Sequence, residues 1–267
     1  MNDTLRRRLW NAVRPLHAPF TRKLRRRLGR NFAEHPEMEL PPPYEAVQLD
    51  VERHLSKYLH VDAAAISRII VVGAHEGDEV FRMRAAYPKA QFLCFEPNPV
   101  SYQHLVEKFR GLDFVAVRQL ALADVPGKTR FYEMEMPGNG SLLEPDPDCW
   151  ATINQSQQNA VSSFEVTLST LDLEARGMPV DLLWIDVQGA EARVLAGAQL
   201  TLVRTKAVFL EVALVQSPYK GATLFDDLSA QLRFNGFVCV ALGIDGWNGT
   251  GNALFVREFD KLICRNG

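Results

Sequence analysis

Ile69-Ile70-Val71-Val72-Gly73-Ala74-His75-Glu76-Gly77 is the stretch from which the rest of the chain is read. Four apolar residues closed by a glycine form a strand buried on both faces. Residues 78–87 then read as a helix, 91–95 as a second apolar strand and 99–109 as a second helix. A third strand is expected over 114–121. The alternation resumes with a strand at 181–185, a helix at 190–202, a strand at 207–212 and a helix at 223–234. Residues 237–242 and 253–256 close it as a hairpin. Strands alternating with helices predict a parallel sheet covered on both faces, an α/β doubly wound fold with right-handed crossovers. Ligands of such sheets bind beyond the carboxyl ends of the strands.

Outward from this core, charge is uneven. Residues 1–30 hold ten of the 30 Lys and Arg and one of the 32 acids, a net +9 that leaves −11 on the remainder. An acidic body argues against a nucleic-acid binder, which needs a basic face. Leu5, Leu9 and Val13, then Phe20, Leu24 and Leu28, recur every four residues. They predict basic amphipathic helices suited to an anionic membrane surface; a solvated arm, or one docked on the acidic body, is the other expectation. The arm lacks the apolar core of a secretory signal. Pro41, Pro42 and Pro43 make a stiff linker. The expected division is thus an arm and linker over 1–45 and one domain over 46–267, with an insertion at about 128–170. Val47, Val51, Leu55 and Leu59 predict a helix at the start of the body. The longest apolar run, 207–215, contains Glu211 and is too short to span a membrane. Cys94, Cys149, Cys239 and Cys264 form no C-x-x-C pair. That spacing argues against a zinc site and for reduced thiols in a cytoplasmic protein, peripheral at the membrane if the arm anchors it.

Chemistry is expected at the strand ends. Gly73 and Gly77 bracket a turn with His75 where a dinucleotide site needs glycine, which suits a nucleoside cofactor without phosphates. Glu96 follows Gly77 by 19 residues, the spacing at which a carboxylate takes ribose hydroxyls. Asp124 is either a partner for an adenine amino group or part of the turn Asp124-Val125-Pro126-Gly127. Asp186 ends an apolar run, where a carboxylate must be paired or functional. Gln188 next to it both donates and accepts. Glu191 is equally a site residue or a first-turn helix acid favoured by the dipole, and Glu211 sits among apolar neighbours and needs a partner in the same cleft.

Val72 to Gly77, Phe95-Glu96-Pro97, Ala121-Leu122-Ala123-Asp124, Gly140-Ser141-Leu142, Thr170-Leu171-Asp172, Ile185-Asp186-Val187-Gln188-Gly189-Ala190-Glu191 and Asn252 to Val256 occur in one order. In that order they resemble the FkbM family of S-adenosylmethionine-dependent methyltransferases. The resemblance implies a class I methyltransferase fold, a Rossmann-like seven-stranded sheet with its last strand antiparallel. It implies S-adenosylmethionine as cofactor and O-methylation of a sugar, glycan or other small-molecule hydroxyl. It assigns the cofactor to Gly73, Ala74, His75, Gly77, Glu96, Asn98, Asp124 and Asp186. Two positions depart from the family pattern: Val71 stands where the family carries Asp, and His75 where it carries Asn.

A sugar hydroxyl is a weak nucleophile at neutral pH, so a general base is expected, from Asp186, His75 or Glu211. Asp186 and Glu211 offer no third ligand at metal-site spacing, so no metal is expected. The irregular stretch 138–163 carries Asn139, Ser141, Trp150, Asn154, Gln155, Gln157, Gln158 and Asn159, amides and an aromatic plate for a polyhydroxylated acceptor. Two other readings stand beside this one: a nicotinamide-dependent oxidoreductase on the same sheet, and a methyltransferase-fold binding protein without turnover.

Overall fold

A computed structural model describes residues 49–51, 55, 59–154, 159–244 and 249–258. The arm, the linker and Cys264 lie outside them, as does most of the first predicted helix; Val51, Leu55 and Leu59 of that helix are helical and buried.

The seven-stranded sheet takes the order β3-β2-β1-β7-β8-β10-β9. Its strands are β1 (Arg68–Val72), β2 (Gln91–Phe95), β3 (Val115–Arg118), β7 (Val180–Ile185), β8 (Thr205–Ala213), β9 (Phe237–Ile244) and β10 (Thr250–Arg257). β1 pairs in parallel with β2 and β7, and β7 with β8. β10 runs antiparallel between β8 and β9. Alternate residues of β1 serve opposite cores: Ile70 and Val72 pack with β7, β8 and the helix over 225–234, while Ile69 and Val71 pack under the helix over 78–86. A strand covered on both faces has no polar position to spare, hence its continuous apolar run.

The helices are α1 (Asp78–Ala86), α2 (Pro99–Lys108), α3 (Pro147–Asn154), α4 (Leu171–Ala175), α5 (Glu191–Ala196), α6 (Gln199–Leu202) and α7 (Phe225–Phe234). Two expected elements are divided. The third strand ends at Arg118, and the chain resumes as β4 (Ala121–Leu122) in a different sheet. The helix expected over 190–202 breaks at Gly197, where a Cβ would stand 2.0 Å from the carbonyl oxygen of Ala123.

The insertion is more regular than expected. β5 (Gly127–Met134) and β6 (Ala160–Ser169) pair antiparallel, with β4 beside β6 in a three-stranded sheet. Phe131, Val166 and Leu168 pack with Ala121 and Ala123, so this small sheet has its own apolar face. It carries the loop 135–146 over the carboxyl edge of the main sheet. No helix among the described residues is long and apolar enough to cross a membrane.

Candidate active site

The carboxyl ends of β1, β2 and β7 and the chain after β3 border a cavity of about 330 Å³. Glu96, at the end of β2, is only 5% exposed. Its Oε2 accepts from the His75 backbone N–H and its Oε1 from that of Asn98, both at 2.8 Å. Each oxygen keeps a further lone pair for a donor inside the cavity. Burial pushes the Glu96 carboxyl up to about 7, against the pull of those two bonds. His75 lines the cavity with φ 41, a left-handed backbone rare for a residue with a Cβ. That conformation is what directs its N–H to Glu96. Asn98 lines the cavity too, while its Oδ1 caps α2 through Val100 N–H at 2.9 Å.

The glycine turn works differently from the expectation. Gly73 has φ 83, and a Cβ there would lie 1.7 Å from the carbonyl oxygen of Asp186. The bare backbone is needed where the turn after β1 crosses the end of β7. Ala74 is fully buried in the core. A Cβ on Gly77 would strike Phe109 Cζ at 2.6 Å, so that glycine lets α1 pack on α2. Neither lines the cavity. Asp124 also lies outside it: its carboxylate pairs with Arg193 Nε at 3.0 Å, and the guanidinium holds its pKa low. The chain turns away at β4, and Leu120 and Leu122 face the cavity instead.

A second cavity of about 240 Å³ adjoins the first, and Met136, Asn139 and Gln188 line both. Asp186 faces the first and Glu211 the second. Gln188 Nε2 donates to Asp186 Oδ1 and to Glu211 Oε2, each at 2.8 Å. Its backbone, with φ 53, is held by Ser141 Oγ, which donates to the Gln188 carbonyl at 2.7 Å. Tyr219 Oη donates to the Asn139 carbonyl at 2.7 Å and stands 3.1 Å from Gln188 Oε1. Burial, then the charges of Asp186 and Glu191, push Glu211 well above the carboxylate range. Burial also raises Asp186, but hydrogen bonds from Gln188 and Glu211 hold it down. Both carboxyls of the pair are thus raised, Glu211 well above its ordinary value. Glu191 is no solvated helix acid: it is 3% exposed, lines the second cavity and accepts from Gly189 N–H at 3.1 Å.

Of the other expected residues, Trp150 lines the second cavity and stacks edge-on to Tyr219 at 5.8 Å. Ser141 is buried and structural. Asn159 is exposed, and Gln155, Gln157, Gln158 and the side chain of Asn154 lie outside the described residues. Tyr219 and Glu79 line the two cavities without having been foreseen. Tyr219 sits in an aperiodic loop after β8, and Glu79 reads as an ordinary first-turn helix acid. No group of three or more His, Cys, Asp or Glu among the described residues is arranged to hold a metal.

Among the described residues the first cavity is lined by Glu79, Glu96, Glu133 and Asp186 and by no Lys or Arg. Phosphates would find no counter-charge there, whereas a cationic nucleoside would. Leu120, Leu122 and Phe131 supply apolar surface for a base, and Glu96 supplies acceptors for ribose hydroxyls. Sheet order, antiparallel last strand and this strand-end site together define a class I methyltransferase fold.

Residues 72–239 match the family described as Methyltransferase FkbM domain, and the chain belongs to that family. S-adenosylmethionine is its cofactor, and the cavity's acids and apolar shelf fit it. The 2-O-methyltransferase NoeI of Sinorhizobium fredii is 31% identical over 165 residues, covering 57% of this chain and 65% of that protein. Methyltransferase sdnD of Sordaria araneosa is 30% identical over 153 residues, covering 48% and 59%. The chain thus spans somewhat less than two thirds of these relatives. Among solved structures, Aeropyrum pernix fibrillarin with natively bound S-adenosyl-L-methionine superimposes with a TM-score of 0.43 and 11% identity, over 73% of this chain and 69% of that one.

Proposed function

We propose that the protein is an S-adenosylmethionine-dependent O-methyltransferase whose acceptor is a neutral hydroxylated molecule, a sugar or glycan. The observation that carries this reading is the hydrogen-bonded set Asp186–Gln188–Glu211, strung between the two cavities. When bound, S-adenosylmethionine supplies a methyl group on a sulfonium, a leaving group that needs no further activation. Gly73, His75, Glu96 and Asn98 line its cavity beside Asp186. The second cavity then takes the acceptor. Trp150 and Tyr219 give it an aromatic corner, and Gln188, Asn139 and Thr250 give it hydrogen-bonding groups. Among the described residues its charged lining groups are Glu191 and Glu211 with no Lys or Arg in the lining, which disfavours phosphorylated and acidic acceptors.

Asp186 is the general base. Its carboxylate would take the proton of the acceptor hydroxyl, a contribution of about 10²–10⁴-fold. The Gln188 amide, bonded to both carboxyls, keeps the Asp186 oxygen oriented. Asp186 and His75 both line the first cavity, but only Asp186 is bonded through Gln188 to Glu211 of the acceptor cavity, so the base role falls to Asp186 over His75. A relative named as a 2-O-methyltransferase supports oxygen as the accepting atom. The basic segment 1–30 would hold this domain at an anionic surface.

The test is incubation of the full chain with S-adenosylmethionine and panels of neutral glycosides, amino sugars, sugar phosphates and nucleotide sugars, read by mass spectrometry. A gain of one CH₂ confined to neutral or amine-bearing acceptors is expected. Methylation of sugar phosphates alone would overturn the acceptor class.

A further inference from the structure

We infer that Glu79 is the counter-ion for the α-ammonium of the cofactor's amino-acid end. The inference rests on the first cavity being the S-adenosylmethionine site. α1 opens with two acids that part company. Asp78 is 81% exposed at its side chain and pairs with Lys108 at 2.5 Å. Glu79 turns inward and lines the cavity with Gly73, Glu96, Trp184 and Asp186.

Among the described residues Glu79 forms no ion pair, and none of their Lys or Arg lines the cavity with it. The cation closest along its helix, Arg82, lies over the Trp184 ring at 5.6 Å. Burial, with Asp186 adding repulsion and Arg82 offsetting part of it, pushes the Glu79 carboxyl up to about 7. An acid so placed keeps its charge at neutral pH when a fixed cation arrives beside it.

Sheet order says which part of the cofactor that cation belongs to. Across the carboxyl edge run the end of β3 with Leu120 and Leu122, the end of β2 with Glu96, the end of β1 with Gly73 and Glu79, and the end of β7 with Asp186. A base on the apolar shelf and a ribose at Glu96 leave the β1 and β7 ends for the amino-acid arm. β1 itself brings no charge there. Val71, fully buried, faces the α1 side of the sheet in register with Cys94 and Trp184. Glu79 lines the cavity at that place, with Gly73, Trp184 and Asp186. The helix supplies the carboxylate that the strand lacks.

Calorimetry on the full chain tests this with two probes, S-adenosylhomocysteine and 5′-methylthioadenosine, which keeps the nucleoside and lacks the amino-acid end. Glu79→Gln should weaken S-adenosylhomocysteine about tenfold or more, the scale of a lost charge-assisted bond. It should leave 5′-methylthioadenosine within about twofold. Glu96→Gln should weaken both. In the wild-type chain, an S-adenosylhomocysteine analogue with hydrogen in place of the α-amine should show the same loss without any substitution. Equal binding of that analogue, or a Glu79→Gln effect of the same size on both probes, overturns the inference while the cofactor site stands. A wild-type chain that binds neither probe overturns the cofactor site, and this inference with it.

Discussion

Raising the pH from about 6 to about 8 is expected to tighten S-adenosylhomocysteine binding while it destabilises the empty protein, because the same carboxyls govern both. Burial pushes the carboxyls of Glu96 and Glu79 each up to about 7. Ribose hydroxyls and an ammonium both need an ionised partner. For one such group, roughly a tenth is ionised one pH unit below its pKa and nine-tenths one pH unit above, so affinity rises about tenfold across the window. Two groups in series give about a hundredfold for S-adenosylhomocysteine. 5′-Methylthioadenosine, which engages Glu96 alone, should gain about tenfold. Stability runs the other way. Between the ordinary value of 4.5 and about 7, the unfolded chain has released protons that Glu79, Glu96 and Glu191 still hold when folded. The unfolded state then binds fewer protons, so apo stability falls as pH rises through that window, by at most about 1.4 kcal/mol for each group as the pH rises by one. The assay is calorimetric titration across the pH range in buffers of different ionisation enthalpy, which counts protons released on binding, alongside thermal melts of the empty chain. Affinity independent of pH, or a slope unchanged in Glu96→Gln, would refute the role given to these carboxyls.

Asp186→Asn removes the charge and the basicity, and the methylation rate should fall about 10²-fold or more with far less effect on cofactor affinity; wild-type turnover would pass the base role to Glu211. Gly73→Ala places a methyl 1.7 Å from the Asp186 carbonyl in a left-handed backbone, so it should destabilise by about 3 kcal/mol or more in denaturant melts. A wild-type midpoint would show that the β1 turn does not cross β7 as described. Removing residues 1–30 should abolish sedimentation with anionic vesicles and leave S-adenosylhomocysteine binding intact, and binding of the full chain should weaken with salt. Equal sedimentation after truncation would exclude the arm as anchor.

The central strands were legible because burial on both faces leaves its mark within a few residues. Residues 69–72, 92–95 and 182–185 are apolar throughout, and each run ends at the residue that carries chemistry: Gly73, Glu96, Asp186. Such a pattern records that a segment is covered, not by what. Asp124 matched a cofactor position in sequence, but the path of the chain into β4 took it to Arg193. The sheet β4-β6-β5 was missed because β6 is exposed along most of its length, so its alternation is weak. Glu79 was hidden for a related reason: Asp78 and Glu79 are equivalent as first-turn acids until α1 docks and turns one into the cavity and the other to Lys108. The sequence alone determined that Asp186 and Glu211 each end in apolar surroundings and need partners. Only the parallel register of β7 and β8, with Ile185 opposite Leu210, decided that these two carboxyls are each other's partners through Gln188. Strand register is a property of two distant segments, and neither one encodes it by itself.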